Sequence, residues 1–332
     1  MEPEKKKKRI IASLIVIGLF LITSILNYFT GNEKIFRKSK KSISSIISPE
    51  EIKFKQKFIT GDKDAEYKIG LIKIEGEITS YYEGYRQKGL SEIVKSALEN
   101  LKQDEKVKGI ILKINTPGGD IFEVEKIYEK IKEVKKSKPV VALLENIATS
   151  GGYYCAVATD KIISHPLTIT GNIGAIIILY NVKELFEKKL GINMIVMKSG
   201  KHKDIGSPFR IMDIEEKKIL QNLVDQAAKR FLDAVIENRK ISNEKIKIIS
   251  DGRIFTGSQA KEIGLIDEIG GLQKAVDIIK EMTKEKKLKV VEYYYKPNIF
   301  EILGFYRSEK LIFSKISKIN TPVLKYLWMP EI

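Results

Sequence analysis

Ser150 stands in TSGGYYCA (Thr149–Ala156), a hydroxyl followed at once by two glycines and a run with helical character. Two readings of that serine are open. Serine is among the preferred helix N-caps, where its oxygen accepts a backbone N–H of the first turn. The same placement suits a nucleophile at a strand-to-helix turn, with the glycines letting a substrate backbone approach. A serine hydroxyl is a weak nucleophile until a base takes its proton. The chain offers two histidines. His165 precedes Pro166 in a strand-to-turn passage and reads as structural, while His202 lies in KSGKHKDI beside Lys201 and Lys203. A lysine in an apolar pocket is driven toward its neutral amine and can act as a base, so a Ser-Lys pair is chemically open. An acyl-transfer site also needs donors for the oxyanion. Gly118 and Gly119 in NTPGG can present one backbone N–H, and Ser150 or Gly151 at the helix start a second. The plainer alternative for NTPGG is a tight turn.

The elements that must hold these residues follow from the apolar pattern. YKIGLIKIEGEI, from Tyr67, reads as a strand, and LSEIVKSALENL has apolar residues at helical spacing. VKGIILKIN and PVVALLEN are nearly continuous apolar runs, as in strands buried on both faces of a parallel sheet. Between them lies the amphipathic IFEVEKIYEKIKEVKKS. KIISH continues the alternation, followed by a helix at VKELFEKKL and a strand at NMIVMKS. A long helix is expected over Asp213–Asn238, then helices at SQAKEIG and LQKAVDIIKEMT and a closing strand KLKVVEYYY. This alternation predicts an α/β domain with a mostly parallel sheet. Chemistry in such sheets gathers beyond the carboxyl ends of the strands, where both TPGGD and ATSGG fall.

The chain of 332 residues carries a formal net charge of +16. Basic clusters at Glu4–Arg9 and Arg37–Lys41 flank Ile10–Phe29, which is uncharged and long enough to cross a bilayer as a helix. Basic residues beside apolar sequence favour a lipid surface over nucleic acid. No convincing small-x-small cleavage site follows, so the segment reads as an uncleaved anchor. The lysines before it place the N-terminus in the cytoplasm and the remainder outside, although the second basic cluster opposes that orientation. Residues 30–65 read as a polar linker, 66–295 as the catalytic domain and 296–332 as a tail of mixed aromatic and lysine character. One cysteine, Cys155, gives no internal disulfide, and with two histidines a zinc site lacks a ligand cluster.

Five segments, in order, carry a resemblance: INTPGGD (Ile114–Asp120), ATSGGYYCAVATDKI (Ala148–Ile162), TGNIGAI (Thr170–Ile176), KSGKHKDIGSPFR (Lys198–Arg210) and DGRIFTGSQAKEIGLIDEIGG (Asp251–Gly271). Together the sequence resembles the short, single-domain signal peptide peptidase A family, Ser-Lys proteases of the Clp protease and crotonase superfamily. That resemblance implies a crotonase/Clp-like α/β fold behind one transmembrane helix. It implies Ser150 as nucleophile, Lys203 as general base, and Gly118 as an oxyanion donor with Gly119 beside it. The family usually has a serine where this chain has Asn172, thought to orient the lysine amine; an Asn carbonyl can accept the same hydrogen bond. No cofactor or metal is implied. The implied partners are peptides, chiefly signal peptides left in the membrane, the bilayer itself, and further copies of the chain in a ring whose active sites are shared between subunits. Two rivals remain: a crotonase-like acyl-CoA enzyme with a similar glycine oxyanion site, and a non-catalytic tethered scaffold in which Ser150 is only a cap.

Overall fold

The computed structural model describes residues 52–80, 88–297 and 323–329, and the unit considered below begins at Lys53. The apolar segment 10–29 lies outside the described residues; among those described, no helix is long and apolar enough to cross a membrane.

The strands in chain order are β1 (Phe54–Gly61), β2 (Lys68–Glu75), β3 (Val107–Thr116), β4 (Gly118–Asp120), β5 (Val140–Thr149), β6 (Lys161–Ser164), β7 (Ile169–Gly171), β8 (Ile254–Thr256), β9 (Glu268–Ile269), β10 (Lys289–Tyr295) and β11 (Lys325–Leu327). A main sheet runs in the order β1-β10-β2-β3-β5-β6-β9, parallel from β10 through β9, with β1 antiparallel at one edge. β7 adds to the carboxyl end of β5 and pairs in turn with β8. The helices are α1 (Leu90–Gln103), α2 (Ile121–Val134), α3 (Gly151–Val157), α4 (Ile214–Asn238), α5 (Asn243–Ile249), α6 (Gly257–Ile263) and α7 (Leu272–Thr283).

The expected mostly parallel α/β sheet with flanking helices is therefore observed. Its central strands are apolar on both faces because both are covered. Ile110, Leu112 and Ile114 of β3 join one core with Leu98 of α1, Ile127 of α2 and Phe231 of α4, while Ile111 joins Ile279 of α7 in the other. Alternate residues of one strand thus feed two cores, as the period of two requires.

The structure departs from the sequence reading in three places. β1 lies inside the stretch read as linker; its side chains are mostly exposed, so burial left no apolar alternation to read. VKELFEKKL forms only a short π-helical turn at Leu185–Lys189, and NMIVMKS (Asn193–Ser199) is not a strand. A strand needs a pairing edge, and this stretch has none among the described residues. Its apolar side chains lie open instead, with Ile195 82% and Met197 94% exposed. The third departure is β11, which pairs with β4 in a small separate sheet.

Burial predicts where substitutions hurt. Leu112→Ala should cost about 2–5 kcal/mol of folding stability, whereas Ile195→Asp and Met197→Asp should each stay within about 0.5 kcal/mol. Denaturant unfolding of the dissociated chain measures both.

Candidate active site

Ser150 ends β5 and opens α3, and its backbone sits at φ 53 and ψ −120. That is strained for a residue with a Cβ, at a cost of order 1–3 kcal/mol. The surroundings enforce it. The Ser150 N–H donates to the Gly171 carbonyl (2.8 Å), and its own carbonyl accepts from Tyr154 N–H (2.9 Å). Gly151 and Gly152 let the turn close: a methyl on Gly151 would come within 2.6 Å of Val124 Cγ2, and one on Gly152 within 2.6 Å of Thr116 Cγ2. An N-cap serine has extended backbone and accepts a first-turn N–H. Ser150 has neither feature, since its side chain makes no capping hydrogen bond. The cap reading fails here, and a strained strand-to-helix turn presenting a hydroxyl takes its place.

The glycine strand lies against this turn. Gly118 has φ 110, and its N–H donates to Thr116 Oγ1 (3.0 Å), whose hydroxyl donates to the Gly76 carbonyl (2.5 Å). Ile78 takes the next pair of backbone bonds: its N–H donates to the Gly118 carbonyl (2.8 Å), and its carbonyl accepts from Asp120 N–H (2.9 Å). The opposite edge of β4 is covered by β11, with Tyr326 opposite Gly119. Bonds from Trp328 N–H to the Pro117 carbonyl and from Ile121 N–H to the Leu324 carbonyl bracket that pair. By the alternation of an antiparallel ladder, Gly119 and Tyr326 are then a hydrogen-bonded pair. A methyl on Gly118 would collide with the Tyr326 carbonyl oxygen, and one on Gly151 would lie 3.1 Å from that oxygen. A peptide carbonyl thus sits at the junction of Gly118, Gly119 and Gly151, next to Ser150. The Gly118 N–H is thus already used; Gly119 bonds that carbonyl in the ladder, and the Gly151 N–H close by, at the first residue of α3, has no intrahelical partner.

The tail is clasped on its other side too. Ile176 and Lys325 exchange both backbone hydrogen bonds, each 3.0 Å. Between them, an extended chain fills a slot with a strand edge on either side. Asn172 stands at the start of that second wall, held at φ 53. Its N–H donates to the Arg253 carbonyl (2.8 Å) and its side-chain amide to the Gly252 carbonyl (2.7 Å). Its Oδ1 remains an unused acceptor among the described residues. Asn172 lines a cavity of about 470 Å³ with Gly174, Ile176, Gly252, Leu327 and Trp328.

Lys203 is elsewhere in character. It is exposed, and its amine makes no hydrogen bond or ion pair to any described residue, Ser150 included. The turn that carries it is nevertheless tightly held. Arg210 donates from Nε to Asp204 Oδ2 (2.9 Å) and from Nη2 to Oδ1 (2.8 Å), while Nη1 and Nη2 reach both oxygens of Glu216 (2.7 and 2.5 Å). Glu216 is 1% exposed and closes a capping box with Asp213 at the start of α4. Arg210 so ties the Lys203 turn to a long helix. Its guanidinium holds the Asp204 carboxyl well below the usual carboxylate range and that of Glu216 down at about 2. Lowered folded values mean that the clamp is complete at neutral pH and is lost as pH falls through them. His202, Asp213 and Glu216 bring ligand-type atoms within 4.8 Å of one another. Glu216 accepts Arg210 and Asp213 Oδ1 accepts the Glu216 N–H (2.8 Å), whereas His202 Nδ1 is buried without a hydrogen-bond partner among the described residues. Cys155 is fully buried, which pushes its thiol well above its ordinary range and removes it as a rival nucleophile. His165 accepts the Leu167 N–H at Nδ1 (3.3 Å), a local turn contact.

Sequence reasoning missed Thr116, Tyr326 and the hub role of Arg210. Thr116 and Arg210 lie within the INTPGGD and KSGKHKDIGSPFR segments, but only contacts distinguish a brace from a bystander. Nothing around Tyr326 resembles a site until β11 is laid on β4.

The mostly parallel α/β fold with a strained serine at a strand end is matched by known proteins, and these give the class of a serine peptidase. The profile of peptidase family S49 matches residues 132–289, and that of Clp protease matches residues 72–170. A protein of Methanocaldococcus jannaschii named as a protease, MJ0651, is 38% identical over 201 residues, 60% of this chain and 64% of its own length. A protein of Enterococcus faecium named for signal peptide peptidase SppA is 33% identical over 295 residues, covering 86% of this chain and 84% of the relative. The chloroplastic serine protease SPPA of Arabidopsis thaliana is 31% identical over 241 residues, 70% of this chain but 35% of the relative. The chain spans less than two thirds of the first and third of these. It belongs to peptidase family S49.

A side chain at position 118 cannot coexist with a carbonyl in this site. Gly118→Ala should lower peptidase turnover by about a hundredfold, the scale of displacing a reacting group by about an ångström, because the methyl takes the place of the carbonyl oxygen; turnover of synthetic peptide measures it.

Proposed function

We propose that this chain is a membrane-anchored Ser-Lys endopeptidase that degrades signal peptides left in the bilayer after their release from exported proteins. The observation that carries this reading is the Tyr326 carbonyl held at the Gly118–Gly119–Gly151 junction beside Ser150. On this reading, that main-chain carbonyl marks where a scissile one would bind. In the proposed sequence, the neutral Lys203 amine takes the Ser150 proton as Oγ attacks the carbonyl carbon. The Gly119 and Gly151 N–H groups take the developing oxyanion. Collapse breaks the C–N bond, and the ammonium of Lys203 returns its proton to the leaving amine. Water then adds to the acyl-enzyme, with Lys203 again as base.

Lys203 lies on an exposed stretch beside exposed apolar residues, among them Ile195 and Met197. An apolar surface of this kind favours a protein partner, and a second copy of the chain is the occupant proposed here. Its arrival would bury the amine beside these apolar side chains. The apolar Ile10–Phe29, flanked by lysines, supports a single-pass anchor with the catalytic domain outside the cytoplasm. The name of the E. faecium relative supports signal peptides as substrates.

Three experiments test this. A fluorophosphonate probe should label the wild type at Ser150 and fail on Ser150→Ala and Lys203→Ala. Lys203→Arg should abolish peptidase activity, because guanidinium does not deprotonate. Mixing inactive Ser150→Ala and Lys203→Ala chains should restore activity when they co-assemble; verified mixed oligomers that stay inactive would place both groups in one chain.

Asn172 is proposed to orient the lysine amine through Oδ1. Asn172→Ala should lower kcat by about ten- to a hundredfold, and Asn172→Ser should lose much less. Equal rates for the two variants would make the position a bystander.

A further inference from the structure

Five threonines are buried among the described residues: Thr116, Thr149, Thr159, Thr168 and Thr170. Four of them donate to main-chain carbonyls: Thr116 to Gly76 (2.5 Å), Thr159 to Ala156 (2.7 Å), Thr168 to Leu144 (3.4 Å) and Thr170 to Ala148 (2.7 Å). Thr149 is the exception. It is wholly buried, and its Oγ1 has no hydrogen-bond partner among the described residues. An unpaired buried hydroxyl is costly, and such groups in native proteins are rare and often functional. Thr149 ends β5 directly before Ser150 and pairs with Gly171 at the end of β7. The Ser150 N–H donates to the Gly171 carbonyl, and Asn172 comes next. A regular strand would send the Thr149 and Ser150 side chains to opposite faces, but the φ of 53 at Ser150 breaks that alternation. Thr149 Oγ1 and Asn172 Oδ1 are therefore two unused acceptors on the paired strand ends that carry the serine.

We propose that Thr149 is a positioning residue for the base: its hydroxyl oxygen is the second acceptor for the Lys203 amine that another copy of the chain brings to Ser150. This rests on the reading of Ser150 and Lys203 as the catalytic pair. The count of donors supports it. Once the amine has taken the Ser150 proton it is an ammonium, with three N–H donors and no acceptor. One N–H must face the reacting atoms, because its proton goes on to the leaving amine. Two remain, and each needs an acceptor in a site from which water is excluded. Asn172 Oδ1 takes one and Thr149 Oγ1 the other. Held at two points, the amine keeps the orientation that proton transfer requires. The hydroxyl lacks a partner within its own chain because the group it serves arrives from another.

The test uses the full-length assembled protein and reads peptidase kinetics together with the rate of fluorophosphonate labelling at Ser150. Thr149→Val keeps the shape and removes the hydroxyl. It should lower kcat and the labelling rate by about ten- to a hundredfold, the scale of a hydrogen bond to a charged group. KM should stay within about twofold, because the contact matters only as the proton moves. Thr149→Ser keeps the oxygen and should come within about threefold of the wild type. Because both acceptors hold one amine, Asn172→Ala combined with Thr149→Val should lose less than the product of the two single losses. Losses that multiply would overturn the proposal, since the two groups would then act on different partners. Thr149→Ser as slow as Thr149→Val would reduce the effect to packing, and a raised KM with kcat unchanged would assign the hydroxyl to substrate binding; either overturns it. If the wild type labels, Lys203→Ala does not, and Thr149→Val labels at the wild-type rate, the Thr149 assignment alone falls. Labelling that survives Lys203→Ala overturns the reading of the base, and a wild type that neither labels nor cleaves overturns that of Ser150.

Discussion

Everything at the centre of this molecule depends on holding the backbone of Ser150 in a conformation that its Cβ resists. The strain is met by a bond from its N–H to the Gly171 carbonyl, and that bond exists because β7 extends the carboxyl end of β5. β5 itself is held between β3 and β6 in a sheet covered on both faces. Folding energy gathered across two cores thus stabilises one unfavourable pair of dihedral angles. The result is a hydroxyl placed at the strand end where the sheet opens, with a helix start beside it to supply an unused N–H.

The same turn explains why glycines cluster around it. Gly118 tolerates φ 110 and leaves room for a carbonyl oxygen; Gly151 and Gly152 let Val124 and Thr116 approach the serine. Thr116 takes up the Gly118 N–H and so orients the strand whose next residue, Gly119, pairs with β11. The site is therefore two strand edges with a serine at their mouth. Extended peptide is its natural guest, because both edges offer main-chain hydrogen bonds to a chain of any sequence. The Tyr326 side chain is held apart from those edges by its hydrogen bond to the Ala227 carbonyl.

Arg210 organises a second centre. It gathers Asp204, Glu216 and the start of α4 around the turn that bears Lys203. The turn is well braced, yet the lysine amine faces outward. Bracing costs little when the clamp is charge-assisted and bidentate, and it leaves the amine able to meet a partner surface with its geometry already set.

The sequence by itself determined the α/β class, the main helices and buried strands, and the peptides that hold Ser150, Gly118, Gly119, Asn172 and Lys203. It could do so because the apolar runs of β3 and β5 and the periodic faces of α1 and α2 are local patterns, and ordered motifs are local too. Only the tertiary structure decided that Ser150 is strained rather than capping, since a dihedral angle enforced by Gly171, Val124 and Thr116 has no local signature. Only it showed that the Gly118 N–H is given to Thr116, because the acceptor is a side chain whose rotamer the sequence does not show. NMIVMKS has the composition of a strand and is none in this chain, for want of an edge to pair with among the described residues. β11 is the converse: three residues in an ordinary tail become a strand because β4 and Ile176 offer edges. Pairing is a property of two segments, and a single sequence window contains only one of them.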